Sequence, residues 1–260
     1  AMGAGALIYG LERESWAALL FSVLLLAAFV GVEAQQPFPL VPFGALRRPF
    51  AFRGFLGNLL GGMAFFGMTA YIPLFVQAAR GQSATVGGML LSPMTVGWTM
   101  SSVLAARALP RWGPRPMARW GPLAMMAGFG AWILARQASL PALGLAGLVV
   151  GAGMGAVMLA LLVCAQEEAP REVLGVVTAM LLFARNIGGS MGAAVMGAVL
   201  GPSLGAGGMA LQEAFWKAPA VALGLAAGIW LAGLGLPERP RPTTDGWEAG
   251  RMEIEGEIDG

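Results

Sequence analysis

Histidine is absent from this sequence, cysteine occurs once, and charged residues make up only 12% of the chain. Without histidine, the commonest zinc ligand and the usual neutral-pH acid/base are missing. One cysteine excludes an intrachain disulfide and a thiolate metal cage. Cys164 lies in the apolar setting LLVCAQ, where it reads as a small buried hydrophobe. A phosphate-binding loop is missing too. The glycines of GAGMGAVM (Gly151, Gly153, Gly155) have no Lys-Ser/Thr after them and no acidic ribose partner, so they read as a close-packing surface. No catalytic residue, metal site or cofactor is expected. Acid is scarce as well: no Asp or Glu occurs between Glu33 and Glu167, and none lies well inside an apolar run.

What fills the chain is apolar. Of 260 residues, 57% are hydrophobic, and the mean hydropathy is +0.70. A soluble domain is roughly 25% charged, so the composition suits lipid. At ~20 residues per membrane-crossing helix, this length allows about seven or eight spans. A soluble enzyme, a nucleic-acid binder and a disordered protein are excluded, and no room is left for a large extramembrane domain. The net charge of +2 hides an asymmetry. Residues 237–260 carry 3 basic and 7 acidic groups, which reads as a solvated, disordered tail.

Seven apolar stretches stand out, at 16–33, 55–77, 85–106, 118–136, 140–165, 173–200 and 217–236. With no water in the bilayer core, backbone groups must bond within the segment, so each stretch is expected to be a helix. The β-barrel alternation is missing. The fold expected is all-α, a polytopic bundle of about seven transmembrane helices. The first stretch has a rival reading as a secretory signal, since VEA resembles a cleavage site, but Glu12 and Glu14 make the preceding segment net negative. Basic residues set the orientation. One set of alternate breaks holds 11 of them, including Arg47, Arg48, Arg53, Arg107, Arg111, Arg115 and Arg119, against 4 in the other set (Arg13, Arg80, Arg136, Lys217). That places the N-terminus outside and the C-terminus in the cytoplasm.

Glycines four apart recur within the stretches: Gly57/Gly61, Gly151/Gly155, Gly188/Gly192, Gly197/Gly201 and Gly224/Gly228. Such pairs let helix backbones approach closely. Pro73 and Pro93 are expected to kink or open their helices. Polar residues in hydrocarbon are costly, so their placement marks the inward faces. Ser92, Thr95, Thr99 and Ser102 share one helix face, with Trp98 beside it. Asn58 and Thr69 lie within about 20° of each other on a helix of ~3.6 residues per turn. These groups either line a cavity or bond to their own and neighbouring backbones. Arg185 is the sharpest feature. It falls near the middle of its stretch, with Thr178 on the same face, and burying it alone would cost at least ~2.5 kcal/mol. Its partner is a water-filled cavity, backbone carbonyls, an anionic ligand or another polypeptide, unless the side chain snorkels to the interface.

Several segments resemble the C-terminal half of major facilitator superfamily transporters, in particular the fourteen-span drug/proton antiporters. YIPLFVQAARGQSATVGGMLLSPMTVG is similar to the junction between the second and third helices, with Pro73, Gln77, Gly81, Ser83, Gly88 and Pro93 matching. RALPRWGPRP resembles the cytoplasmic loop motif repeated in each half, with Arg111, Gly113, Arg115 and Pro116 matching. EEAPREVLGVVTAMLLFARNIGGSMGAAVMGAVL is similar to the next cytoplasmic loop and helix, including Arg185, Gly188, Gly189 and Gly192. The loop motif usually carries an acid just before its arginine, where this chain has Pro110.

The resemblance divides the chain into an external loop (1–15), an extra helix with a cytoplasmic connection (16–54), a six-helix half (55–236) and an acidic cytoplasmic tail (237–260). It implies the C-terminal portion of a plasma-membrane transporter that exports hydrophobic or cationic small molecules by alternating access, with protons as coupling ion. The partners implied are the substrate, membrane lipid and an N-terminal half that this chain lacks; no nucleic acid is involved. Asn58, Thr69, Ser92, Thr95, Trp98, Thr99 and Arg185 would face the substrate cavity, and Gly81, Arg111, Gly113, Arg115 and Pro116 would belong to loops that control rocking. Two alternatives stand beside it: a self-sufficient seven-span sensor or assembly factor, and a half-transporter that pairs with a separate subunit.

Overall fold

Short sequence signals set the helix boundaries. The computed structural model describes residues 49–134, 139–169, 173–204 and 208–234. The stretch at 16–33, the loop before it and the tail after 234 lie outside the described residues. Helix α1 runs Pro49–Leu74 and passes into one π-helical turn, Phe75–Ala79. Pro73 removes a backbone donor at that junction, and the Gln77 amide donates to the Pro73 carbonyl at 3.2 Å. The local opening expected at Pro73 is present; α2 runs unbroken through Pro93.

Helix α2 spans Ala84–Trp112. Ser83 caps its start, its hydroxyl accepting from the Val86 N–H at 3.4 Å. Gly113 ends it with φ +72°, and its N–H donates to the Leu109 carbonyl at 2.8 Å. Pro114 then opens α3, Pro114–Leu134, where a missing N–H costs nothing. One glycine therefore separates the two helices. Helix α4 is Leu140–Glu168, α5 is Leu174–Leu204, α6 is the short Gly208–Ala214, and α7 is Lys217–Leu234. The six long helices follow the apolar stretches from 55 onward. Helix α1 begins earlier than expected, at Pro49, and α6 was not anticipated.

Among the described residues five helices are long and apolar enough to cross a membrane. Helix α3 falls short because Arg119, Trp120, Gly121 and Pro122 dilute its first half. It is nevertheless built into the bundle, against α4 and α7. All described elements are helical.

The packing has an internal exchange pattern. Helix α1 packs on α5 and α7, α4 packs on α2 and α3, and α1 meets α4 at the centre. Swapping α1–α2–α3 with α4–α5–α7 reproduces the same pairings, as an internal repeat would. Helices α2 and α5 are the least buried and α4 the most. The main core holds Met68, Ile72, Met94, Met125, Phe129, Val150 and Met154.

Glycine sets the closest approaches. A Cβ added to Gly62 would fall on the Arg185 backbone, one at Gly188 on the Leu59 carbonyl, and one at Gly192 on Met63. These weld α1 to α5. Gly97, Gly151 and Gly155 do the same between α2 and α4, against Leu148, Met94 and Trp98. So two of the five expected pairs, Gly188/Gly192 and Gly151/Gly155, sit on facing backbone. Gly57/Gly61 meet only flexible side chains of Leu161 and Met158, and Gly201 and Gly224 meet nothing within 4 Å.

Candidate functional site

Four of these helices enclose a small cleft. Asn58 of α1, Trp98 and Ser102 of α2, Met158, Leu159 and Leu162 of α4, and Leu181, Leu182 and Arg185 of α5 line a cavity of about 170 Å³. The structure thus brings together three of the expected residues from three helices. Their placement follows from the glycine contacts. Gly62 holds α1 against the backbone at Arg185, and Gly155 holds α4 against α2 at Trp98.

Arg185 is half-buried and lies about 6 Å along the axis from the middle of α5, at ~1.5 Å per residue. Its guanidinium carbon sits 5.7 Å from the centre of the Trp98 ring, within cation–π range. Its Nε is buried with no hydrogen-bond partner among the described residues. The sequence has no acid between Glu172 and Glu213, so α5 itself supplies no counter-charge. Trp98 is held edge-on by Phe65 at 5.1 Å and Phe66 at 5.7 Å. Its indole face is therefore presented to the arginine by packing on α1.

Asn58 is the one buried polar residue of the described core, 4% exposed. Its amide nitrogen donates to the Gly54 carbonyl at 2.9 Å, which leaves the side-chain oxygen uncommitted to that bond. Thr178, one helical face with Arg185, accepts from the Gln166 amide at 3.1 Å and ties α5 to α4. An aromatic surface, a cation and an amide thus converge in an apolar wall. That set can bind a flat, lipophilic molecule or hold an anionic group; it cannot perform covalent chemistry.

The other expected cavity residues lie elsewhere. Thr69 is three turns along α1 from Asn58, half-buried, and donates to its own helix at Phe66 at 2.9 Å. Ser92, Thr95 and Thr99 form an exposed strip on α2, donating to Gly88, Leu91 and Thr95 at 3.2, 3.5 and 3.0 Å. The hydroxyls thus bond their own backbone, and the strip lies about 70° round the helix from Trp98 and Ser102 at ~100° per residue, outside the cleft lining. Of the loop candidates, Gly81 and Gly113 have φ of +62° and +72°, Arg111 is in the last turn of α2, and Arg115 and Pro116 are in the first turn of α3.

Sequence reasoning missed Phe65, Phe66 and Gly62. Their apolar or small side chains carry no polar signal inside an apolar run. Among the described residues no group of His, Cys, Asp or Glu is arranged to hold a metal.

Comparison with known proteins points one way. The Major Facilitator Superfamily profile matches residues 2–193. The multidrug transporter protein MdtP of Bacillus subtilis is 31% identical over 195 residues, 72% of this chain and 35% of the relative. The puromycin resistance protein pur8 of Streptomyces alboniger is 31% identical over 70% of this chain and 37% of its own length. The drug efflux pump JefA of Mycobacterium tuberculosis is 29% identical over 73% and 37%. The chain therefore spans about a third of these relatives. Among solved structures, a bacterial homolog of the human lysosomal transporter Spinster, crystallised in an inward-facing and occupied conformation, superimposes with a TM-score of 0.55. That likeness has 16% identity and covers 78% of this chain and 52% of the other; it shows the fold.

Proposed function

This chain belongs to the major facilitator superfamily, and from that premise we propose that it is the C-terminal portion of a proton-coupled exporter of hydrophobic or cationic small molecules. Members of the family are transporters and not enzymes, and the chain is a multi-pass membrane protein. The observation that carries the proposal is Arg185, set deep in a span over Trp98 and beside Asn58, with no acid on its own helix. An anionic partner is one way to satisfy a cation so placed. An acid on a second helical half would supply it, and protonation of that acid would release the pair. The substrate would lie between the halves, against Trp98, Asn58 and the Ser92–Thr99 strip, as they rock about it. Thr69 would line the same wall farther along α1. Gly81, Arg111, Gly113, Arg115 and Pro116 would belong to the loops that limit rocking.

On this reading the chain sits in the plasma membrane, with residues 107–119 on the cytoplasmic side by the excess of arginine there. The chain alone in liposomes is expected to show no efflux of ethidium driven by a pH gradient, whereas the complete reading frame restores it. Gradient-driven efflux by the isolated chain would support a self-sufficient protein instead. For orientation, a cysteine placed in 107–119 in a Cys164→Ala background should resist impermeant thiol reagents in intact cells. Labelling there would invert the topology.

A further inference from the structure

A second concavity, larger than the cleft, opens between α2, α3 and α4. It has a volume of about 510 Å³ and is lined by Met100 and Leu104 of α2, Met117 and Ala124 of α3, and Ala152 and Ala156 of α4, among other apolar residues. That is within the ~300–1,000 Å³ range of small-molecule pockets, yet almost nothing in it could orient a polar compound. The one hydroxyl in its wall, Ser101, already donates to the Ala152 carbonyl across the α2–α4 interface. Polarity is confined to one end. Trp112 and Trp120 stand there, each 71% exposed, and each lining the groove. Arg111 adjoins Trp112 in the chain, with Arg107 one turn before. Arg107 and Arg111 are exposed and continue the Met100–Leu104 stripe of α2, seven and eleven residues on from Met100. No acid occurs between Glu33 and Glu167 to neutralise this cluster locally.

An apolar channel ending in exposed indoles and arginines matches one kind of molecule. Tryptophan favours the headgroup level of a bilayer, and juxtamembrane arginines attract anionic headgroups. We propose that this groove is a binding site for an anionic phospholipid, with an acyl chain along Met100, Leu104 and Ala124 and the phosphate at Arg107 and Arg111. A small drug would lack the charge that the arginine end selects. A zwitterionic lipid would lose the net attraction.

Native mass spectrometry of the purified chain, offered phosphatidylglycerol and phosphatidylcholine in equal amounts, tests this. Retention should favour phosphatidylglycerol by about fivefold or more, the change expected for one added ionic contact near a membrane surface. Arg107→Gln with Arg111→Gln should bring the ratio close to one. Ala124→Leu, which fills the groove and leaves the arginines, should lower phosphatidylglycerol retention; circular dichroism checks that each variant stays helical. Equal retention of the two lipids would overturn the proposal, as would a preference that survives the arginine variants or the filled groove. Displacement of the retained lipid by ethidium would assign the groove to substrate instead. Displacement on dimer formation, seen by cross-linking at rising protein concentration, would assign it to a second copy; either result overturns the lipid site.

Discussion

Two hollows are cut into the same helix, and they differ in kind. The cleft at Trp98 and Ser102 holds about 170 Å³ and gathers a cation, an amide and an indole from three helices. The groove at Met100 and Leu104 holds about 510 Å³ and presents methyl groups. The cleft face and the centre of the groove face, at Gly97, Ser101, Leu104 and Ala108, are roughly 110° apart around α2 at ~100° per residue. Size and chemistry are thus uncoupled here. In a membrane protein an apolar hollow is satisfied by lipid, whereas a polar one must be satisfied by protein, water or a ligand. The smaller hollow is therefore the better candidate for specific recognition of a ligand.

Substitutions can break or sharpen that contrast. The largest effect is expected at Arg185→Ala in a complete transporter. Efflux should fall at least about tenfold, as for loss of a contact worth ~1.4 kcal/mol or more, with membrane insertion unchanged; Ala124→Leu in the groove should leave efflux intact. Equal losses at both would erase the distinction. Next in size is Gly188→Leu, which drives a side chain into the Leu59 carbonyl. It should cost about 3 kcal/mol, as overpacking does, and lower the melting temperature in detergent, while Gly224→Leu, in open space, changes little. Smaller again are Gln166→Leu beside the cleft and Ser101→Ala beside the groove. Each removes one interhelical hydrogen bond, worth ~0.6 kcal/mol on average and up to ~1.7. Thermal denaturation should rank them together. The smallest effect belongs to Thr99→Ala, whose hydroxyl bonds only its own helix. Its stability should change by less than about 0.5 kcal/mol, and a larger loss would place the strip in a packed interface.

The comparison also explains what was legible in advance. Long apolar runs reveal spans because a helix must stay apolar for ~20 residues to cross the bilayer, and every stretch from 55 onward became a helix. Asn58, Trp98 and Arg185 were legible because polar or bulky groups stand out against hydrocarbon. Thr69 and the Ser92–Thr99 strip carried the same signal but bond locally, since a hydroxyl can satisfy itself on the preceding turn. Glycine spacing was only partly informative. A four-residue interval describes one helix, while close approach depends on the facing one. Hence Gly62, Gly97, Gly121 and Gly153 touch neighbouring backbone outside the expected pairs, and Gly201 and Gly224 touch nothing. The groove left no mark at all, because residues lining an apolar hollow and residues filling a core have the same composition.

The single-residue link at Gly113 has a mechanical consequence. Its N–H is tied back to Leu109, and Pro114 has a fixed φ, so the link contains no slack to absorb a displacement. Any tilt of α2 must pass to α3 almost as through a welded elbow, with Gly113 as the only swivel. The connection Gly81–Ser83 at the other end of α2 is three residues long, and its Gln82 N–H donates to the Val76 carbonyl at 3.1 Å. Helix α2 is thus joined by one residue at its arginine-rich end and by three at the other. A tilt of α2 would enter the bundle as rotation of the α2–α3 pair about the one-residue link, with the cleft at Trp98 carried along.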